Sequence, residues 1–402
     1  MLTDYIKKSW DECVRYQPED EDTLIGLPYP YIVPNKRVGF QEMYYWDTFF
    51  TCQGLLLSGK EELVKNCTDD MLYLVNKYGF MPNGNRTYYL RQSQPPFLSM
   101  MVMDVYRTYQ DKEWLKNAYE TLKKEYQFWM TQRITPLGLN KFDARVKDMS
   151  QEEADMHYYG CCERIGYTIP SEDHFQVARN FLTDCESGWD FNPRTELSQS
   201  DCVYVDLNCN LYLYEKNFAE YAQILENGES KIWEEKAEQR KALMNRYLWD
   251  GEAFMDYNMK QEKTCPVFSV ASFYALWAGV ANEEQAAKTV AKLSKLEYPY
   301  GIAACEKNEV PGQYQWDYPT GWPPHQYLMI QALERYGYKE DARRIAEKYV
   351  TVCEKIYQET GDLWEKFHVE KGDQNTEKDY EAHRMIGWAA GVYLFAKHYL
   401  EQ

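Results

Sequence analysis

Residues 324–357 read PHQYLMIQALERYGYKEDARRIAEKYVTVCEKIY, and this stretch sets the expected architecture. An apolar-rich segment over 324–336 stops at Gly337. The next segment, 340–357, brings Ala342, Ile345, Ala346, Tyr349, Cys353 and Ile356 onto one face at helical spacing. Two helices joined by so short a turn form an antiparallel hairpin. The same pattern runs back through the chain. An apolar stretch from Trp46 to Leu57 breaks at Ser58-Gly59 and resumes over 61–78. A second, from Phe97 to Tyr109, breaks at Asp111 and resumes to Met130, with Leu115, Ala118, Tyr119, Leu122, Tyr126 and Trp129 on one face. Further pairs fall at 205–223 with 229–247 and at 267–280 with 283–295. A last helix, 387–400, is expected to pack beside the first, near 3–16, and 163–185 holds one helix without a clear partner. Short strands are expected near 140–160, 253–258 and 298–304. No Ser-, Gly- or Pro-rich linker divides the chain. Hairpin starts recur about every 50–60 residues, which predicts an all-α fold: one closed ring of helix pairs, an (α/α)6 toroid with a few β segments in its loops. A single catalytic domain over 1–402 is expected.

Composition narrows the partners. The chain has 402 residues and a formal charge of -18. An acidic surface repels phosphate backbones and anionic lipid, so nucleic acid and membranes are not expected partners, whereas a neutral small-molecule carbohydrate is. The first residues lack the apolar core of a signal peptide, and no run of about 18 apolar residues occurs. Eleven cysteines are scattered, without a C-x-x-C pair, which suits reduced, mostly buried thiols in a cytoplasmic protein. The six histidines show no zinc-ligand spacing, and a Gly-rich phosphate loop is absent, so no metal or cofactor is expected. A monomer and a homodimer both fit.

Within each hairpin the connection is short; between hairpins it is long. In an up-and-down ring the long loops share one end, so 34–47, 82–96, 186–194, 312–324 and 362–380 should converge on one mouth. Residues 315–324 in that set read Gln-Trp-Asp-Tyr-Pro-Thr-Gly-Trp-Pro-Pro. Indole faces match the C–H face of a sugar ring, and Asp and Gln match its hydroxyls. Asp and Glu dominate these loops, as glycoside cleavage requires: one carboxyl gives a proton to the leaving oxygen, and the other attacks the sugar or activates water. Asp190 lies between Trp189 and Phe191, whose burial of its carboxyl would raise its pKa, and Glu365 lies in Gly361-Asp-Leu-Trp-Glu-Lys-Phe367. Composition alone does not rank these two above Asp47, Glu42, Asp317 or Asp379.

Several blocks carry a resemblance. Gln315 to Pro324 resembles the second signature of the trehalases, glycoside hydrolase family 37, and Pro34 through Gln41-Glu-Met-Tyr-Tyr-Trp-Asp47 resembles their first. Met81 to Pro96, Glu186-Ser-Gly-Trp-Asp-Phe191, Val205-Asp-Leu-Asn208 and Trp364-Glu-Lys-Phe367 are similar to further family blocks, in family order. The resemblance implies the (α/α)6 barrel and an inverting, metal-free α-glycosidase, with Asp190 as general acid, Glu365 as general base and trehalose as the leading substrate. Trp46, Asp47, Asn83, Gln94, Trp316 and Asp317 fall on motif positions implied to line the sugar site, with Phe40, Trp189 and Trp322 beside them. Asp379 falls where the family usually has Glu, and Glu381 competes for that role. Other positions depart. Gln41 replaces a sugar-binding arginine, and Gln92 stands where the family has Arg, with Arg91 displaced by one. Glutamine cannot copy the rigid fork of a guanidinium. The catalytic pair is thus retained while the recognition set is altered. Rival expectations are a hydrolase like those of the related family 63, acting on a glucosylglycerate- or kojibiose-type α-glucoside or an α-mannoside; a sugar isomerase or epimerase on the same barrel, using His325 or His368; and a sugar-binding module without catalysis.

Overall fold

The computed structural model describes residues 1–36, 39–144, 146–376 and 382–402. Among them run fourteen α-helices: α1 (Leu2–Ser9), α2 (Tyr45–Leu56), α3 (Glu61–Tyr78), α4 (Leu98–Tyr109), α5 (Lys112–Gln132), α6 (Gln151–Ile165), α7 (His174–Ser187), α8 (Val205–Ile224), α9 (Ser230–Tyr247), α10 (Ala271–Ala278), α11 (Glu283–Val290), α12 (Pro323–Arg335), α13 (Lys339–Thr360) and α14 (Gly387–Glu401).

Six of these make an inner ring. α4 packs on α8, α8 on α10, α10 on α12, α12 on α14, and α14 on α2. The ring closes between α2 and α4, where Phe49 meets Phe97 at 4.6 Å and Gln53 Nε2 donates to Asp104 Oδ2 at 3.0 Å. Inner helices such as α10, buried at all eight positions, are apolar all round because they are enclosed on every side. Outer helices are one-sided. α13 buries Ala342, Ile345, Ala346, Tyr349, Val352, Cys353 and Ile356, the stripe anticipated from the sequence plus Val352. Helix ends follow local chemistry: Asp111 caps α5 by accepting from Glu113 N–H and Trp114 N–H, and Pro323-Pro324 opens α12, where the missing N–H groups cost nothing. The inner and outer helices together form the (α/α)6 toroid.

Among the described residues, four small antiparallel sheets of two or three strands form, each strand two residues long, besides isolated bridges. One joins Thr320–Gly321 to Phe367–His368 in the register Thr320↔His368, Gly321↔Phe367, tying two of the long loops together.

Four sequence expectations need correction. The region 140–160 forms α6 from Gln151 onward rather than a strand, because Ser150 and Glu153 build a capping box. The single helix expected over 163–185 is the end of α6 followed by α7, a hairpin outside the six-pair count. The first helix ends at Ser9, and residues 10–13 tighten into a 3₁₀ turn before a short strand. The final helix packs chiefly on α2 rather than α1. Gly54 and Gly391 permit that approach: a Cβ on Gly391 would stand 2.1 Å from the Phe50 carbonyl oxygen. No disulfide joins the eleven cysteines, and no helix among the described residues is long and apolar enough to cross a membrane.

Candidate active site

The five long loops meet in one pocket with about 180 Å³ of space for solvent. The first supplies Phe40, Tyr44, Trp46 and Asp47; the second supplies Asn83, Tyr89, Gln92 and Gln94. The last turn of α7 supplies Cys185, and the segment after it supplies Gly188 and Asp190. Gln315, Trp316 and Trp322 come from the segment before α12, and Glu365 from the loop after α13. Met385 and Trp388 complete the wall.

Tryptophans form one side of this pocket. Trp316 stacks on Trp322 with centroids 3.9 Å apart and planes within 4°. Trp46 lies 5.5 Å from Trp316, and Trp388 stands edge-on to Trp46, Trp316 and Trp322. Backbone bonds fix the stack: Trp316 N–H donates to the Phe191 carbonyl at 3.1 Å, and Trp322 Nε1 donates to the Gln315 carbonyl at 3.2 Å. Stacked by both Trp322 and Trp189 and only 2% exposed, Trp316 belongs to a rigid apolar wall. Gly188 serves this wall in two ways. It ends α7 at φ 74°, and any Cβ there would stand 2.8 Å from Trp46 Cε2. Phe191, next to Asp190, and Phe40 also hold positive φ, at 55° and 40°, which is costly for aromatic residues.

The polar side is built from buried anchors. Tyr45, beside Trp46, donates to Glu125 Oε1 at 2.6 Å and accepts from Leu98 N–H at 3.1 Å; Tyr214 donates to the other Glu125 oxygen at 2.6 Å. Gln94 Oε1 accepts from Trp46 N–H at 3.3 Å. Glu365 is buried, and its backbone is pinned at both ends. Its N–H donates to the His383 carbonyl at 2.9 Å, and its carbonyl accepts from Trp388 Nε1 at 3.1 Å. His383 N–H also approaches Glu365 Oε2 at 3.4 Å. Asp190 is half-buried. Asp47 faces both, and burial, reinforced by the charges of Glu365 and Asp190, pushes its carboxyl up to about 8. Neighbouring guanidiniums are held elsewhere: Arg133 by Glu186, Arg194 by Asp206 and Asp256, and Arg86 by Glu42. Among the described residues, no group of three or more His, Cys, Asp or Glu is arranged to hold a metal ion.

The structure thus brings Asp190, Glu365, Phe40, Trp46, Asp47, Asn83, Gln92, Gln94, Trp316 and Trp322 to one pocket. Four other candidate residues lie outside its lining. Gln41 turns toward the N-terminal segment, where its Oε1 accepts from Arg15 Nη2 at 2.8 Å and its Nε2 donates to the Asn35 and Gly39 carbonyls. Arg91 points to the surface and pairs with Glu153 at 3.4 Å. Trp189 is fully buried behind Trp316, with the Arg194 guanidinium 4.2 Å from its ring. Asp317 accepts from Asn308 Nδ2 at 2.8 Å. Asp379 and Glu381 lie outside the described residues. His325 is buried against Trp189 at 4.2 Å, and burial holds its imidazole well below the usual range. His368 Nδ1 accepts from Glu370 N–H and Lys371 N–H within its own turn. Neither imidazole lines the pocket, which counts against the isomerase alternative. Sequence reasoning assigned no role to Tyr44, Tyr89, Cys185, Met385 and Trp388. Tyr44 and Tyr89 stand inside motif blocks, and the aromatic excess there is their signal.

A family model described as Trehalase matches residues 2–400. Among solved structures, the neutral trehalase Nth1 from Saccharomyces cerevisiae superposes with a TM-score of 0.80 at 29% sequence identity, covering 99% of this chain and 80% of the yeast chain. A family 63 mannosylglycerate hydrolase from Thermus thermophilus, in complex with Tris and D-glycerate, superposes with a TM-score of 0.64 at 15% identity, covering 99% of this chain and 100% of that one. At that identity the likeness is one of fold.

Proposed function

This chain belongs to the trehalase family of glycoside hydrolases, and from that premise we propose that it hydrolyses a small α-glucoside with inversion, as one catalytic unit over 1–402. The observation that carries the reading is the placement of Asp190 and Glu365, from two different loops, in one tryptophan-walled pocket. In this mechanism Asp190 gives its proton to the glycosidic oxygen as the bond to C1 breaks. Glu365 takes a proton from the water that attacks C1 from the opposite face. The transition state carries oxocarbenium character, the attacked sugar is released as the β-anomer, and the protonated leaving group departs with its own configuration unchanged. An inverting pair stands roughly 6.5–9.5 Å apart so that this water fits between carboxylate and sugar. Trp316 and Trp322 give the ring an apolar wall, while Asn83, Gln92, Gln94 and Asp47 take its hydroxyls. Trehalose is the leading substrate.

A second reading keeps the chemistry and changes the sugar. It is favoured by Gln92 in the pocket and by Gln41 bound to Arg15. Without the two arginine forks, a kojibiose- or glucosylglycerate-type glucoside, or an α-mannoside, becomes an alternative substrate. A panel of such glycosides, assayed for release of reducing sugar, separates the two readings. The wild-type protein is expected to cleave at least one α-glucoside, and Asp190→Asn to do so on the order of 10³-fold more slowly. Equal inactivity of both proteins on every α-glycoside overturns the proposal.

A further inference from the structure

Glu186 opens the string Glu186-Ser-Gly-Trp-Asp190, yet it does not line the pocket. It sits fully buried in the last turn of α7 and accepts four hydrogen bonds from three chain segments. Oε1 accepts from Ser93 N–H at 2.9 Å and from Arg133 Nη2 at 2.7 Å. Oε2 accepts from Arg133 Nε at 2.8 Å and from Asp143 N–H at 2.7 Å. A carboxylate offers about four lone-pair sites, so Glu186 is saturated. The two ends of this clamp both lead to the pocket. Ser93 is the residue between Gln92 and Gln94, which line it. Asp190 follows Glu186 after one turn of chain through Gly188, which is wedged against Trp46. A second bond runs parallel, from Asn83 Nδ2 to the Cys185 carbonyl at 3.4 Å.

Stability alone does not account for this arrangement, because taking an ion pair out of water costs about as much as its attraction returns. We propose that Glu186 is a positioning residue: clamped by Arg133, it fixes the loop carrying Gln92 and Gln94 relative to Asp190, so that sugar and proton donor are held in register. The proposal rests on the reading of Asp190 as the acid.

The test compares Glu186→Gln with Glu215→Gln. Glu215 is an equally buried carboxylate, bound by Arg240 and Tyr126, and does not line the pocket. On the best-cleaved α-glucoside, well below both melting temperatures, Glu186→Gln is expected to lower kcat/KM on the order of 100-fold, with kcat reduced and KM raised together. Glu215→Gln is expected to lose stability while kcat and KM stay within about twofold of wild type. Arg133→Lys keeps the charge but loses the fork, and is expected to give the Glu186→Gln pattern at smaller amplitude. Amide exchange read on the same samples gives an activity-independent measure. Exchange in 82–96 and 188–194 should rise in Glu186→Gln and not in Glu215→Gln. Wild-type kinetics and exchange in Glu186→Gln, or equal kinetic losses in both variants, overturn the clamp. Failure of the wild-type protein on every α-glycoside overturns the reading of the site instead, and the exchange data then judge the clamp alone.

Discussion

Asp47→Asn is expected to stabilise the protein at alkaline pH, and the structure sets both the sign and the size. Asp47 lies in the first turn of α2, and burial, with the charges of Glu365 and Asp190, moves its carboxyl from 3.8 to about 8. Below pH 4 the folded and unfolded states both hold the proton. Between about pH 4 and pH 8 the unfolded chain has released it while the folded protein keeps it. Stability therefore falls as pH rises through this window, by ~1.4 kcal/mol per pH unit. Over about four pH units the limit is ~6 kcal/mol, and screening by water at the pocket face, where Asp47 is 8% exposed, reduces it to about 2–3 kcal/mol. Asparagine keeps the shape and carries no charge, so the variant escapes this fall. Urea unfolding of both proteins at pH 5, 6.5 and 8 supplies the measurement. The stability of Asp47→Asn relative to wild type should grow by about 1.5–2 kcal/mol over the three units from pH 5 to pH 8. A difference that stays constant across that range refutes the argument that Asp47 is held protonated by its surroundings.

Other perturbations probe packing and pocket separately. Gly391→Ala places a methyl group against the backbone of Phe50, which has no flexible side chain to yield, and is expected to cost about 3 kcal/mol or more in chemical unfolding. Trp316→Phe shrinks the stack on Trp322 and Trp46 and is expected to raise KM about 2–10-fold in steady-state kinetics, with a smaller change in kcat. Arg91→Ala removes only a surface pair with Glu153 and is expected to leave kcat/KM within about twofold, measured on the same substrate.

The helix ring was legible because hairpins such as 324–357 carry strong periodicity and clear stops. The loops followed from counting, since every second connection in an up-and-down ring faces the same end. α6 was harder to see. Its buried positions Ala154, Tyr158, Cys161 and Ile165 keep helical spacing, but exposed Met156 and Tyr159 blur the stripe, and only the Ser150–Glu153 capping box announces its start. Within the site, a motif position told which loop a residue joins but not which way its side chain turns. Gln92 and Gln94 face the pocket, while neighbouring Arg91 turns out to Glu153. Likewise Trp316 walls the pocket, while Asp317 bonds to Asn308 and Trp189 packs behind it. Alternation along an irregular loop has no fixed period, so direction there is set by tertiary contacts. The close approach of Gly391 to Phe50 was likewise hidden, because it depends on partners far away in sequence.

The division of labour between Asp190 and Glu365 is tested most directly by the anomer of the sugar first released. Proton NMR during the first minutes of hydrolysis of an α-glucoside, before mutarotation, distinguishes the two outcomes. The account predicts β-glucose, formed when water activated by Glu365 attacks the face opposite the bond that Asp190 protonates. On trehalose, inversion releases β-glucose from the attacked ring together with an equal amount of α-glucose from the leaving ring, so initial release of α-glucose without β-glucose means retention of configuration and contradicts it.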